Sequence, residues 1–289
     1  MKPSGARAAR ARPRAFVALV LSGLVGLSAL SSASCAAPLM KLPAGAGAPA
    51  PDAADALAQA TATCRGIRTL TAEVALSGSA GGRRVRGRLS AGVAAPASVR
   101  LEAAAPFGPP VFILAATNDD ATLLLPRDDR VLEHGRPAAV LDAVAGVPLD
   151  AADLQTTLTG CAPPVAQAAG RAFGADWRVV TASVGSVQYA LYLRRDQGAQ
   201  PWRLVSTLHT GSADLVWRAD YRDFQNDLPR SIRVATVDMK DAFDLTLQLS
   251  QVETNVPLGP EVFRVVIPTS ADPITVDELR RARLGIREN

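Results

Sequence analysis

Apolar and polar residues alternate with a period of two in both halves of this chain, and this alternation restricts the fold more than any other feature. In residues 245–250, three leucines alternate with Thr246, Gln248 and Ser250, and residues 70–76 repeat the pattern early in the chain. A strand of this kind buries one face and leaves the other in water. Both halves therefore predict antiparallel sheet.

Helical patterns occur before the strands, between their two groups and after them. An Ala-rich segment at 52–64 precedes them, two short segments at 138–145 and 151–158 divide them, and an Arg-rich segment at 276–284 follows them. The chain shows no internal repeat of 20–50 residues and no regular alternation of strands with helices. This order predicts a single α+β domain over residues 52–289.

The first 34 residues have the three parts of an export signal. A basic stretch ends at Arg14, an apolar stretch covers 15–30, and small polar residues at 31–34 directly precede Cys35. The apolar stretch is shorter than the roughly 20 residues that a membrane-spanning helix needs. We expect residues 1–34 to be a cleaved signal peptide, and the alternative is an uncleaved anchor helix.

Cys35 closes a signal that resembles those of bacterial lipoproteins, in which this cysteine becomes the acylated N-terminus. Such signals usually have Leu where this chain has Ser32, and Ser32 with Ser34 would also suit the ordinary signal peptidase. Ala36 follows the cysteine, in place of the Asp that often retains lipoproteins in the inner membrane. The resemblance implies an acyl anchor such as palmitate at Cys35, on the periplasmic face of the outer membrane.

The charge of the chain does not favour a nucleic-acid partner. The formal net charge is +4, but five of the 31 basic residues lie in the basic stretch of the signal. Cleavage before Cys35 leaves 26 basic residues against 27 acidic ones. A nearly neutral chain exerts little long-range attraction on a polyanion, so we expect no nucleic acid among the partners.

Two further features concern the mature chain. Residues 36–51 are rich in Ala, Pro and Gly, and we expect residues 35–51 to be a lipidated N-terminus with a flexible tether.

Cys64 and Cys161 are the remaining cysteines, and the oxidising periplasm permits a disulfide between them. Two buried free thiols are the alternative.

The chain has few residues that could support catalysis. Its two histidines, His134 and His209, are far apart in sequence, and no hydrolase, P-loop, metalloprotease or dinucleotide motif is present. The acidic pairs at 119–120 and 128–129 lie in turn contexts, where solvated carboxylates are common. We expect no enzyme, no cofactor and no metal site.

Residues 101–164 contain a series of short motifs in a fixed order. They are Ala105-Pro106-Phe107-Gly108, then Leu141-x-x-Val144-x-Gly146-x-Pro148-Leu149, then Leu154-x-x-x-Leu158-x-Gly160. This series resembles the family of the outer-membrane lipoprotein receptor LolB, although Ala105 replaces the usual Asn. Leu228-Pro229-x-x-Ile232 and Phe263-x-x-x-Ile267-Pro268 are similar to segments of the wider group of periplasmic lipoprotein carriers and receptors.

The resemblance implies a strongly curved antiparallel sheet, an unclosed β-barrel, with helices over its open mouth. It also implies a function: to take an acylated lipoprotein from a periplasmic carrier, hold the acyl chains in an apolar cavity and help insert them into the outer membrane. Two alternatives stay open. The interior could be a filled core, and the protein could be a scaffold in envelope assembly that transfers nothing.

The loop at Phe107 is the candidate for membrane contact. Pro106 precedes this phenylalanine and Gly108-Pro109-Pro110 follows it, and prolines cannot donate to a strand ladder. The segment is therefore not the middle of a strand. The resemblance implies that Pro106, Phe107 and Gly108 form an exposed tip that touches the membrane, whereas the alternative is a phenylalanine folded back onto the core.

Overall fold

The computed structural model describes residues 38–165, 169–196, 200–211, 215–237 and 243–284. The predicted signal peptide and Cys35 lie outside these residues. Within them, no helix combines the length and the apolar character needed to cross a bilayer.

Strands dominate both halves of the described chain. The first half contains β1 (Ala48–Pro49), α1 (Ala53–Ala60), α2 (Ala62–Arg65), β2 (Thr69–Ala80), β3 (Arg83–Ala94), β4 (Ser98–Ala103), β5 (Phe112–Thr117), β6 (Asp120–Leu125), β7 (Arg130–Gly135), α3 (Pro137–Ala145) and α4 (Ala151–Thr159). The second half contains β8 (Ala169–Phe173), β9 (Trp177–Val184), β10 (Val187–Arg194), β11 (Arg203–Thr210), β12 (Val216–Arg222), β13 (Ser231–Thr236), β14 (Phe243–Thr254), a 3-10 helix (Pro260–Phe263), β15 (Asp272–Pro273) and α5 (Val276–Leu284).

The strands form one curved sheet that does not close. Their order is β1-β8-β9-β10-β11-β12-β13-β14-β2-β3-β4-β5-β6-β7-β15, so the described sheet has β1 at one edge and β15 at the other. Neighbouring strands are antiparallel except for the short β7–β15 pair. The two halves of the chain meet where β14 pairs with β2 and Leu247 lies opposite Leu76. The predicted fold class, a strongly curved antiparallel sheet with helices, is confirmed.

The concave face of the sheet carries the core. The register places Leu191, Thr207, Ala219, Val234 and Leu245 directly opposite one another on five neighbouring strands, and all five are buried. The largest fully buried side chains of the strands lie on this same face: Leu70, Leu114, Leu123, Leu191, Leu193, Leu204 and Ile232. The period-two alternation therefore fills one side of the sheet with aliphatic side chains.

Helices cover the concave face. The helix α1 packs on β8 to β11, α3 packs on β6 and α5, and α4 packs on β4. In α4 the side chain of Asp150 accepts a hydrogen bond from the backbone N–H of Asp153 at 2.7 Å, which caps the first turn. Gly160 ends the helix in a left-handed conformation with φ of 63°. We call α3 and α4 the covering helices.

The segment predicted to be a flexible tether is held on the sheet from Pro38 onward. The backbone N–H of Met40 donates to Asp220 Oδ2 at 2.6 Å, and the side chain of Arg218 donates to Met40 O. Ala48 pairs with Ala172 in the β1–β8 ladder. The physical reason is that Asp220 is fully buried and ion-paired with Arg218, and such a pair needs further hydrogen bonds to offset its desolvation. Composition alone does not reveal these partners.

Candidate functional site

The candidate site is the interior of the curved sheet around α4, which packs on β4 and reaches the concave face of β10 to β12 through the contact of Asp153 with His209. Ala151 and Leu158 of α4 are buried, as are Leu191 and Ala219 of the sheet. An acyl chain that replaced α4 would pack on the aliphatic side chains of this face and would also contact its buried polar residues, Thr207 and His209. In this structure the concave face is packed against the helices, so such a chain could enter only if α4 moved.

A polar cluster lies inside this apolar contact. Tyr189, His209 and Trp217 are directly opposite one another on β10, β11 and β12, which brings their rings together. The rings of His209 and Trp217 stack with centroids 4.7 Å apart, and Tyr189 meets His209 edge-on at 5.1 Å. From α4, Asp153 Oδ1 lies 3.5 Å from His209 Nε2. This contact connects the covering helix to the floor of the sheet.

Burial sets the charge of that contact. Desolvation, with the nearby Asp150 carboxylate, raises the pKa of Asp153 from 3.8 to about 7. Desolvation also lowers the pKa of His209 from 6.5. A strong ion pair would move both values in the opposite directions, so burial outweighs the attraction between the two groups. Near neutral pH the contact is therefore poised close to the loss of a proton from Asp153.

Several polar atoms of this contact have no hydrogen-bond partner among the described residues. They are Thr157 Oγ1 on α4 and Thr207 Oγ1, His209 Nδ1 and Trp217 Nε1 on the sheet. Each buried polar atom left without a partner costs about 1–3 kcal/mol. The contact between α4 and the sheet is consequently less stable than a purely apolar contact of the same size.

A disulfide holds one end of α4. The sulfur atoms of Cys64 and Cys161 are bonded, and their Cα atoms are 5.6 Å apart. Cys161 directly follows Gly160, the residue at which α4 ends, whereas Cys64 lies in α2. The C-terminal end of α4 is thus fixed to the N-terminal helices, and its N-terminal end is held near the sheet by Asp153.

The Phe107 loop connects β4 to β5 and projects from the sheet. The side chain of Phe107 is 88% exposed, so it is not folded back onto the core. Arg127 holds the loop from beneath, because its guanidinium donates to Phe107 O at 2.6 Å and to Pro109 O at 3.1 Å. Gly108 has φ of 78°, a conformation that favours glycine. The loop therefore presents one large apolar side chain on a fixed backbone.

The other side chains considered from sequence do not form a second site. The exposed His134 lies 3.3 Å from Asp120, and Asp129 accepts a hydrogen bond from Ser270. Within the described ranges, no group of three or more His, Cys, Asp or Glu side chains could hold a metal ion. A groove of about 320 Å³ lies on the opposite face of the sheet, and its charged lining residues are Glu73, Glu102, Glu253 and Arg100.

Sequence reasoning missed the contact between Asp153 and His209. It interpreted His209 as an ordinary strand residue, although the alternation in β11 already places His209 and Thr207 on one face. Asp153 is the third residue after the helix cap, and the i to i+4 spacing puts Thr157 on the same side of α4. These patterns identify which face of β11 and which face of α4 point inward. Only the packing of α4 in the structure shows that the two faces meet.

Comparison with solved structures identifies the fold. A LolA superfamily protein from Nitrosomonas europaea superimposes with a TM-score of 0.52 at 13% identity, over 74% of this chain and 97% of that chain. A domain assigned to outer membrane lipoprotein sorting from Vibrio parahaemolyticus gives a TM-score of 0.49 at 11% identity, over 72% and 94%. No family model and no curated protein matches the sequence. The first likeness shows a LolA-like fold, and the finer resemblance to LolB stays a prediction.

Proposed function

We propose that this protein is an envelope lipoprotein that binds the acyl chains of other lipoproteins and helps insert them into the outer membrane. The observation that carries the proposal is the largely aliphatic concave face covered by α4, a helix whose contact with the sheet includes polar atoms without a hydrogen-bond partner. The LolA-like fold agrees with it, and the proposal includes no catalytic step.

Acyl chains would bind where α4 now packs. Displacement of α4 would open the interior between β4 and the row that contains Leu191, Ala219 and Val234, and acyl methylenes would then cover part of that row. Each buried methylene contributes about 0.8 kcal/mol, so even part of one acyl chain offsets the loss of the helix contact. The polar atoms of Thr157 and His209 would regain solvent or new partners as α4 leaves, which lowers the cost of opening.

Delivery would use a different part of the molecule. Phe107 lies on a loop at the end of two strands, away from the concave face. Burial of one phenylalanine in lipid contributes about 1.5–3 kcal/mol, which is enough to guide contact and too little to anchor the protein. An acyl anchor at Cys35 would keep the protein at the membrane. A periplasmic carrier would supply the lipoprotein, and a higher affinity at each successive acceptor would set the direction.

The Phe107→Glu variant separates binding from delivery. We expect it to accept a labelled lipoprotein from a carrier as the parent does, because the concave face is unchanged, and to lose transfer into liposomes at least tenfold. Its free energy of unfolding should stay within about 0.5 kcal/mol of the parent's, since Phe107 is exposed. Phe107→Leu, which keeps an apolar tip, is the matched control and should transfer.

Two outcomes would contradict the proposal. If the parent protein does not accept the lipoprotein, acyl binding is wrong. If Phe107→Glu transfers as well as the parent does, the tip has no role in delivery. Acceptance and transfer are measured separately by co-elution with the protein and by flotation with the liposomes.

One observation favours a second function. The concave face is filled by fully buried leucines, as in an ordinary core, and a protein with a permanently filled interior would be a scaffold in envelope assembly. That function predicts that no lipoprotein binds under any condition.

A further inference from the structure

The hairpin of β2 and β3 extends beyond its neighbour β4. Among the described residues, β4 pairs with β3 only as far as Leu89, which lies opposite Ala103. Residues 83–88 of β3 continue past this point, with β2 on their other side. One backbone bond, from Ala104 N–H to Arg88 O at 2.9 Å, ties the start of the Phe107 loop to the hairpin. The projecting part of β3 and the Phe107 loop are therefore directly connected.

Three arginines form a row on the projecting strand. Arg84, Arg86 and Arg88 occupy alternate positions, so all three point to the convex face, and all three are exposed. We call them the arginine row. Successive members are separated by two residues of an extended strand, about 6–7 Å.

The acidic residues nearest the arginine row are Glu73 on β2 and Glu102 on β4, which both lie opposite Ser90, two residues beyond Arg88, and Glu102 binds Arg100. Neither lies directly opposite a member of the row. The residues that lie opposite the row on β2 are Ser79, Ser77 and Ala75. On the next strand, Asp244 lies opposite Ser79, but its carboxylate already binds Arg233 at 2.6 Å. The predicted mature chain is close to neutral, so this row is a local concentration of positive charge and not a consequence of overall composition.

The arginine row and Phe107 lie at the same end of the sheet. Because neighbouring strands alternate in direction, the connections that follow β2, β4 and β6 are all at one end. These connections contain the tip of the hairpin, the Phe107 loop and the turn at 126–129. In that turn Arg127 holds the Phe107 loop, and the exposed Asp128 and Asp129 offset part of the positive charge. An apolar tip beside a basic surface is the combination by which proteins attach to negatively charged membranes.

We propose that this end of the sheet is a docking surface for anionic membrane lipids, in which the arginine row binds headgroup phosphates while Phe107 enters the acyl region. Guanidinium groups suit this role, since each can donate two parallel hydrogen bonds to one phosphate. The inference deepens the proposed function, because delivery requires contact with a membrane, and it adds the class of lipid that this contact recognises.

The test measures binding to vesicles by flotation. The full chain carries Cys35→Ser, so that an acyl anchor does not hold every variant on the vesicle. Vesicles of phosphatidylcholine alone are compared with vesicles that contain phosphatidylglycerol. We expect binding to the anionic vesicles only, with affinity falling as salt is raised because the charges are exposed.

The triple variant Arg84→Gln, Arg86→Gln, Arg88→Gln should bind anionic vesicles at least tenfold more weakly, at about fivefold per arginine near the surface. Arg65→Gln, Arg136→Gln, Arg171→Gln is the matched control, since it removes the same charge from exposed arginines away from this end. It should bind as the parent does. A triple Arg→Lys variant of the row should keep most of the affinity.

Three results would overturn the inference: equal binding to neutral and anionic vesicles, equal losses in the row and control variants, or tight binding of a short DNA duplex without vesicle binding. Self-association of the row variant with unchanged vesicle binding would also overturn it, because the arginines would then serve to protect an open strand edge from aggregation. Acceptance of a lipoprotein by the row variant is measured in parallel. Loss of acceptance in the parent defeats the proposed function, whereas normal acceptance with no preference for anionic lipid defeats only this inference.

Discussion

At the scale of single residues, Asp153 has the most consequence, because one proton changes the contact between α4 and the sheet. Its pKa of about 7 in the folded protein lies above its ordinary value of 3.8. A raised pKa contributes stability that is fully present below the unfolded value and is lost as pH rises through the folded value. The lowered pKa of His209 acts in the opposite sense, since its contribution is lost as pH falls below 6.5.

The Asp153→Asn variant removes the contribution of Asp153 to the pH dependence of stability and leaves that of His209. We expect the variant to gain stability relative to the parent as pH rises from 5 to 8, by roughly 2–3 kcal/mol at most, since the parent alone must bury a charge at pH 8. Urea unfolding at both pH values measures the difference. Asp277→Asn, in the exposed first turn of α5, is the control and should show no such trend. If the difference in the free energy of unfolding between the Asp153→Asn variant and the parent is the same at pH 5 and pH 8, Asp153 is already ionised at pH 5.

At the scale of elements, the covering helix α4 is the part that must move, and the disulfide determines how it can. The bond between Cys64 and Cys161 fixes the C-terminal end of α4. The N-terminal end is held by the contact of Asp153 with His209, which lacks full hydrogen bonding. Opening is therefore expected to begin at Ala151 and to pivot near Gly160.

The double variant Cys64→Ser, Cys161→Ser tests this arrangement. The disulfide closes a loop with a sequence separation of 97 residues, so its loss should lower the free energy of unfolding by about 3–5 kcal/mol. Hydrogen exchange in the last turn of α4 should become as fast as in its first turn, whereas in the parent the first turn exchanges faster. Equal exchange rates at both ends of α4 in the parent would rule out the pivot.

Sequence reasoning recovered most elements but not all. The alternation predicted β2 and β14, and the covering helices were predicted at 138–145 and 151–158, within a residue or two of their observed bounds. The strands β7, β8 and β9 were not predicted, and β8 is rich in small residues. Gly170 packs so closely on α1 that an added Cβ would lie 2.0 Å from Ala53 Cβ. Small residues are needed in β8 because α1 packs closely on it, so its sequence does not show the alternation of apolar and polar residues that predicts a strand.

At the scale of the whole molecule, pattern and resemblance together predicted a curved open sheet with helices across it, and this much is observed. They could not predict whether the concave face is empty or filled, because the answer depends on how α4 packs against several strands distant in sequence. They also could not show that residues 38–51 bind the sheet, since the partner of Met40 is the buried Asp220. That Phe107 lies in a loop was predictable, because neighbouring prolines exclude a strand locally, whereas its exposure remained one of two alternatives.

The central claim is that acyl chains bind on the concave face in place of α4, and hydrogen exchange with and without a saturating triacylated peptide tests it most directly. The account predicts faster exchange in α4, residues Ala151–Thr159, together with unchanged or slower exchange in β10 to β12, and no change in α5. Changes confined to the convex face, or no change in α4 at saturation, would contradict it.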